Sequence, residues 1–103
     1  MNLLMSLRRQ LQVLSKRHTL EIISQLFSGP SHISKLSEEL SIPYTTVQQR
    51  ISELERAGLV RVEHSIDELS KRAIRRAQIV SFRIELSPRI IHFIVTGENS
   101  NRG

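Results

Sequence analysis

The sequence predicts a mainly α chain with one small β-hairpin, and three observations carry that reading. Apolar residues recur at helical spacing from Leu3 through Leu54. Glycine and proline break the pattern at Gly29-Pro30, Pro43 and Gly58. Beyond Gly58 the period shortens toward two, most clearly at Val80, Phe82, Ile84 and Leu86. With 103 residues the chain makes one domain rather than two.

The first helix is expected over Asn2 to about Ser15, where Leu3, Leu4, Leu7, Leu11 and Leu14 share one stripe. Lys16, Arg17 and His18 interrupt it. A second helix starts near His18 or Thr19, with Leu20, Ile23, Leu26 and Phe27 as its buried stripe, and stops at Gly29-Pro30. Ser31 reads as the N-cap of a short helix from His32 to Leu40, with Ile33, Leu36 and Leu40 on one face. Ser41-Ile42-Pro43 forms a turn, because proline disfavours a helical residue before it and suits the first position of the next helix. That helix runs from Tyr44 to Ala57, buries Val47, Ile51 and Leu54, and ends at Gly58.

Two antiparallel strands follow, near Leu59 to His64 and over Gln78 to Leu86. They enclose an extended tip, Asp67 to Ala77, that holds Lys71, Arg72, Arg75 and Arg76. A helix is the rival reading here. Ser65 and Glu68 have capping-box spacing, and Ile66, Leu69, Ala73, Ile74 and Ala77 can line one helical face. Ser87-Pro88 opens a last short helix containing Ile90, Ile91, Phe93, Ile94 and Val95. The expected organisation is one domain over 1–95, with a first helix over 1–15, paired helices over 32–57, a hairpin over 59–86, a terminal helix over 88–95 and a tail over 96–103.

Composition narrows the chemistry. There are 15 basic residues against 10 acidic ones, a net charge of +5, and twelve of the 15 are arginine. Arginine suits bidentate contact with phosphate. Cysteine is absent, which excludes disulfide scaffolds, thiol catalysis and cysteine-ligated metals. The histidines, His18, His32, His64 and His92, are scattered one per element, so no metal or other cofactor is expected. No Gly-rich phosphate loop or metal-ligand spacing points to an enzyme. Aromatic residues are only 4%, too few for a base-stacking platform. No apolar run reaches the length of a membrane span, and Arg8 and Arg9 interrupt the N-terminal segment, so neither a membrane anchor nor a signal peptide is expected. A cytoplasmic, nucleoid-associated protein fits these features.

Two short helices joined by a tight turn and followed by a basic hairpin make a helix-turn-helix with a wing. The second helix, with its side chains, matches the width of the DNA major groove. Its face opposite Val47, Ile51 and Leu54 carries Thr45, Gln49, Ser52 and Arg56, flanked by Thr46, Gln48 and Glu53. Thr45, Thr46, Gln48, Gln49 and Ser52 are the candidates for reading bases, since amides and hydroxyls match base edges. Tyr44, Lys35, Arg50, Arg56, Lys71, Arg72, Arg75 and Arg76 are the candidates for phosphate, with Arg61 as a further one.

Leu11–Leu26, Gly29-Pro30, Ile33–Leu40 and above all Thr45–Val60 (TTVQQRISELERAGLV) resemble the winged-helix repressors of the arsenic-repressor (ArsR) type and their archaeal relatives. The resemblance covers about residues 10–87. Likeness to phenolic-acid-type (PadR) repressors and to small archaeal, plasmid or viral winged-helix proteins is comparable. The resemblance implies a transcriptional repressor that binds double-stranded operator DNA as a symmetric homodimer through its first and last helices. Leu3, Leu4, Leu7, Leu11, Ile90, Ile91 and Ile94 are then the interface candidates. The metal-sensing motif of the arsenic-repressor type falls near Leu36–Leu40, where this chain has no thiol. Two alternatives stay open: a plasmid-partition or DNA-coating protein, and a winged-helix module for protein interaction. The sequence names no operator and no small-molecule effector.

Overall fold

The computed structural model describes residues 3–97; Met1, Asn2 and the tail from residue 98 onward lie outside the described residues. The elements are α1 (Leu3–Leu14), α2 (Thr19–Leu26), β1 (Ser31–His32), α3 (Ile33–Leu40), α4 (Tyr44–Arg56), β2 (Val60–Ile66), β3 (Ala73–Ile79) and α5 (Pro88–Thr96). The mainly α chain with a small antiparallel sheet is therefore as expected, and the sheet has a third strand that the sequence did not suggest.

The core gathers where α2, α3 and α4 meet the base of the sheet. Ile22, Leu36, Val47, Ile51, Leu54 and Leu59 are its most deeply buried apolar side chains. On α4 the spacing i, i+4, i+7 of Val47, Ile51 and Leu54 places all three on the inner face, as expected. On α2 the phase differs. Thr19, Ile22 and Leu26 point inward, whereas Leu20 and Phe27 are exposed and Ile23 is half-buried. Apolar residues on α2 wrap around more than one stripe, so period alone does not fix which edge turns inward.

The turn between α3 and α4 is closed by local bonds. The Ile42 N–H donates to Ser37 O at 3.1 Å, and Ser37 Oγ donates to Ile42 O at 2.5 Å. Ser41 sits in the left-handed region at φ 55°. The N–H groups of Thr46 and Val47 donate to Pro43 O, so α4 starts directly behind the proline. At the far end, Gly58 adopts φ 77°, a conformation that costs a side chain strain, and the Leu59 N–H closes back on Leu54 O at 2.9 Å.

Ser31 does not cap a helix. Ser31 and His32 pair antiparallel with Ala77 and Arg76, which places β3 between β1 and β2. Extended backbone at His32, φ −69° and ψ 148°, precedes α3 without a side-chain cap bond.

The hairpin also differs from expectation. Its second strand is Ala73–Ile79, paired from Ile66↔Ala73 to Val60↔Ile79, not Gln78–Leu86. Its turn is Asp67 to Arg72, not the longer tip to Ala77, and no helix forms there. The turn chemistry sets this register. Asp67 Oδ2 accepts from Ser70 N at 3.1 Å and from Ser70 Oγ at 2.6 Å, Lys71 N donates to Asp67 O, and Lys71 takes φ 60°. Residues 81–87 lie outside any helix or strand, and Val80, also outside β3, donates its N–H to Leu59 O. The alternation of Val80, Phe82, Ile84 and Leu86 falls on this stretch, because β3 already has a neighbour on each side.

α5 begins as expected: Ser87 Oγ accepts from Ile90 N at 3.2 Å, Pro88 follows, and Gly97 ends the helix at φ 70°. It extends to Thr96, one residue into the stretch expected to be tail. It packs on α1, where Arg8 Nη1 donates to Ile94 O at 3.2 Å, yet none of its residues is buried.

Candidate nucleic-acid interface

Thr45, Thr46, Gln48, Gln49 and Ser52 all lie on α4, away from the buried stripe. Thr45 and Gln49 are exposed; Thr46, Gln48 and Ser52 are half-buried. Tyr44 stands at the start of the helix, 43% exposed despite its ring. The structure thus brings together on one face the residues that the sequence nominated for reading bases.

The basic residues divide by geometry. Lys71 and Arg72 are exposed at the turn of the hairpin. Arg75 and Arg76 are on β3, where neighbours alternate between faces. Arg75 shares the face of buried Ala77 and leans onto α4, donating through Nη2 to Tyr44 Oη at 3.4 Å. Arg76 is on the opposite face and pairs with Glu63 across the sheet at 3.0 Å. The four cations are therefore not one tip cluster, because two of them follow the pleat of a strand.

Arg50 and Lys35 are engaged within the protein. Arg50 donates through Nε to Arg17 O at 3.0 Å and through Nη1 to Glu53 at 2.9 Å, and its side chain is only 16% exposed. Lys35 lies 3.7 Å from Glu39, one turn away on α3. Arg56 is exposed and lines a cleft between α1 and α4 together with Arg9, Gln12 and Lys16. Lys16 pairs with Glu53 in the same place, so two cations from different elements converge on one carboxylate.

That convergence governs the ionisation of Glu53. Burial pushes its carboxyl up, but the hydrogen bonds and charges of Lys16 and Arg50 outweigh burial and hold it below the ordinary value. The Asp67 carboxyl is also held low, by the Ser70 side chain first and its backbone N–H second, against the opposing effect of burial. Sequence reading placed Glu53 at the flank of the outer face of α4 and Asp67 at the start of the tip, but assigned partners to neither. For Glu53 only the i, i+3 spacing from Arg50 was visible; Lys16 reaches it across the fold.

Among the described residues no cluster of His, Asp or Glu is arranged to hold a metal. Nor is any helix among them long and apolar enough to cross a membrane.

A helix-turn-helix whose second helix presents hydroxyls and amides, beside a hairpin with arginines, defines a winged-helix DNA-binding protein. Residues 24–79, just over half of the chain, match the family described as sugar-specific transcriptional regulator TrmB. The chain belongs to that family and is a DNA-binding transcriptional regulator. Two solved structures share the fold. One is an ArsR family transcriptional regulator, 20% identical, with a TM-score of 0.62 over 74% of this chain and 77% of that one. The other is HlyU from Vibrio cholerae N16961, 18% identical, with a TM-score of 0.58 over 87% of this chain and 85% of that one. No curated protein sequence matches the chain.

Proposed function

We propose that the chain is a homodimeric repressor that places α4 in the major groove of an operator. Thr45, Thr46, Gln48, Gln49 and Ser52 read base edges there, while Lys71 and Arg72 meet phosphate or the adjacent minor groove. The observation that carries the reading is the polar outer face of α4 standing beside the exposed cations of the hairpin turn. Arg56 and Tyr44 flank that face as further phosphate contacts. Repression follows from occupancy: a small dimer seated on its operator obstructs whatever else needs that DNA. The protein acts in the cytoplasm, at the nucleoid.

Dimerisation would cover apolar surface that the single chain leaves exposed. α5 carries Ile90, Ile91, Phe93, Ile94 and Val95 with none of them buried. Leu3 is 85% exposed, and Leu4, Leu7 and Leu11 are half-buried. Leu3, Leu4, Leu7, Ile84 and Ile90 line a groove of about 330 Å³ between α1 and α5. A second copy laid against α1 and α5 covers this face and presents two copies of α4 to one side of the duplex.

Selection of bound sequences from a random duplex pool tests the proposal. The expected product is an inverted repeat with half-site centres about 34 Å apart, one turn of DNA. Enrichment of no sequence overturns the proposal, and a footprint that spreads from its site instead of stopping supports a DNA-coating role. Reversing Lys71 and Arg72 to Glu is expected to weaken binding, and each phosphate that is no longer neutralised flattens the log–log salt slope by about 0.9.

A further inference from the structure

Gln48 makes an unusual approach to the hairpin. The side-chain amide of Gln48 lies against the Arg75 guanidinium, and with its oxygen turned toward it the amide accepts from Nη2 at 2.6 Å and from Nη1 at 3.1 Å. The reverse orientation sets amide donors against guanidinium donors, so only this one satisfies both groups. Arg75 also donates to Tyr44 Oη, one turn before Gln48 on α4. One arginine of β3 thus holds two residues at the start of the reading helix.

This approach changes what Gln48 offers to a base. A free glutamine pairs with adenine through both of its amide atoms, the oxygen accepting from N6 and the nitrogen donating to N7. With its oxygen held by Arg75, Gln48 has only N–H groups left to present. Guanine shows two adjacent acceptors, N7 and O6, in the major groove, whereas adenine shows one acceptor beside a donor. A donor-only amide fits the first and opposes the second. The guanidinium charge also polarises the amide and strengthens its N–H groups as donors.

We propose that Arg75 is a specificity-determining residue, which by holding the amide oxygen of Gln48 turns an adenine-reading side chain into a guanine-reading one. The inference rests on the major-groove placement of α4 proposed above. Arg75 acts here as a positioning residue, not as a phosphate contact.

Random-duplex selection by the full chain and by Gln48→Ala, Arg75→Ala and Arg75→Lys forms tests it. Gln48→Ala identifies the position that Gln48 reads, as the one place where the base preference collapses. The unsubstituted protein is expected to prefer guanine there by about tenfold over adenine. Arg75→Ala is expected to shift the same position toward adenine while the remaining positions keep their bases. Arg75→Lys retains the charge but not the two-pronged grip, so it shifts the position as Arg75→Ala does. A thermal melt of each variant confirms that it is folded. An unchanged guanine preference in both Arg75 variants overturns this inference alone, as does a preference for adenine in the unsubstituted protein. Failure of the unsubstituted protein to enrich any sequence overturns the DNA placement as well.

Discussion

The two ends of the molecule treat their apolar residues in opposite ways. From α2 to β3 the chain closes on itself: Ile22, Leu36, Val47 and Leu54 have no exposed surface. In α5, five consecutive or near-consecutive apolar residues leave not one side chain buried, and Leu3 at the start of α1 is 85% exposed. Hydropathy alone does not separate the two regions. The difference is whether the same chain supplies a second surface. The central half buries its apolar face within one chain, while the outer parts of α1 and α5 leave theirs uncovered, apart from Val13 in the core.

The sharpest way to break that contrast is to make a similar truncation in each region. Leu54→Ala empties a fully enclosed site and is expected to cost about 3 kcal/mol in denaturant unfolding. Ile94→Ala, on α5, is expected to cost below about 1 kcal/mol in the dissociated monomer, since only a half-buried side chain is removed. Equal costs would mean that the terminal helices are as self-sufficient as the centre.

The next largest effect concerns association. Ile91 is 45% exposed on α5, and Ile91→Glu is expected to raise the dimer dissociation constant by about tenfold or more in sedimentation analysis. An unchanged sedimentation profile would remove α5 from the interface.

A smaller effect sits at the seam between the regions, where Lys16 and Arg50 converge on Glu53. Glu53→Gln is expected to cost about 1 kcal/mol at neutral pH. The Glu53 carboxyl is held low in the folded protein, so its stabilisation is complete above the ordinary carboxylate value. It is lost as pH falls through the lower folded value. The difference in melting temperature between the two proteins should therefore shrink on acidification below about pH 4.

The smallest effect is a gain. Thr19 is fully buried, and its hydroxyl has no hydrogen-bond partner among the described residues. Thr19→Val keeps the shape, removes the stranded hydroxyl and is expected to stabilise the chain by about 1 kcal/mol.

These contrasts also explain what was legible in the sequence. The α3–turn–α4 unit was readable because Pro43 and Gly58 impose its limits and Val47, Ile51 and Leu54 fall on one helical phase. The polar outer face of α4 follows from the same periodicity. The hairpin register was not readable, because it depends on the Asp67–Ser70 turn bonds and on β1 occupying the other edge of β3. Alternation at Val80 to Leu86 was a real pattern on a segment with no strand left to join. The bond between Arg75 and Gln48 was hidden for the same reason, since a shift of one residue in register turns Arg75 to the other face. Three nominated cations, Lys35, Arg50 and Arg76, proved to be paired with carboxylates within the protein, and charge alone carries no sign of that.

The shortest element of the fold has the widest mechanical reach. Ser31 and His32 bond to β3 and run directly into α3. The hairpin is therefore laced to the first helix of the reading unit at its root, besides being joined to α4 through Gly58. A hairpin tied at two points cannot pivot freely about one. With α4 in the major groove as proposed, the span from its outer side chains to the turn at Lys71 and Arg72 would behave as the fixed opening of a caliper. On that placement, DNA whose groove-to-backbone spacing differed from the opening would have to deform to be gripped, and duplex stiffness would enter the affinity without contact to the bases concerned.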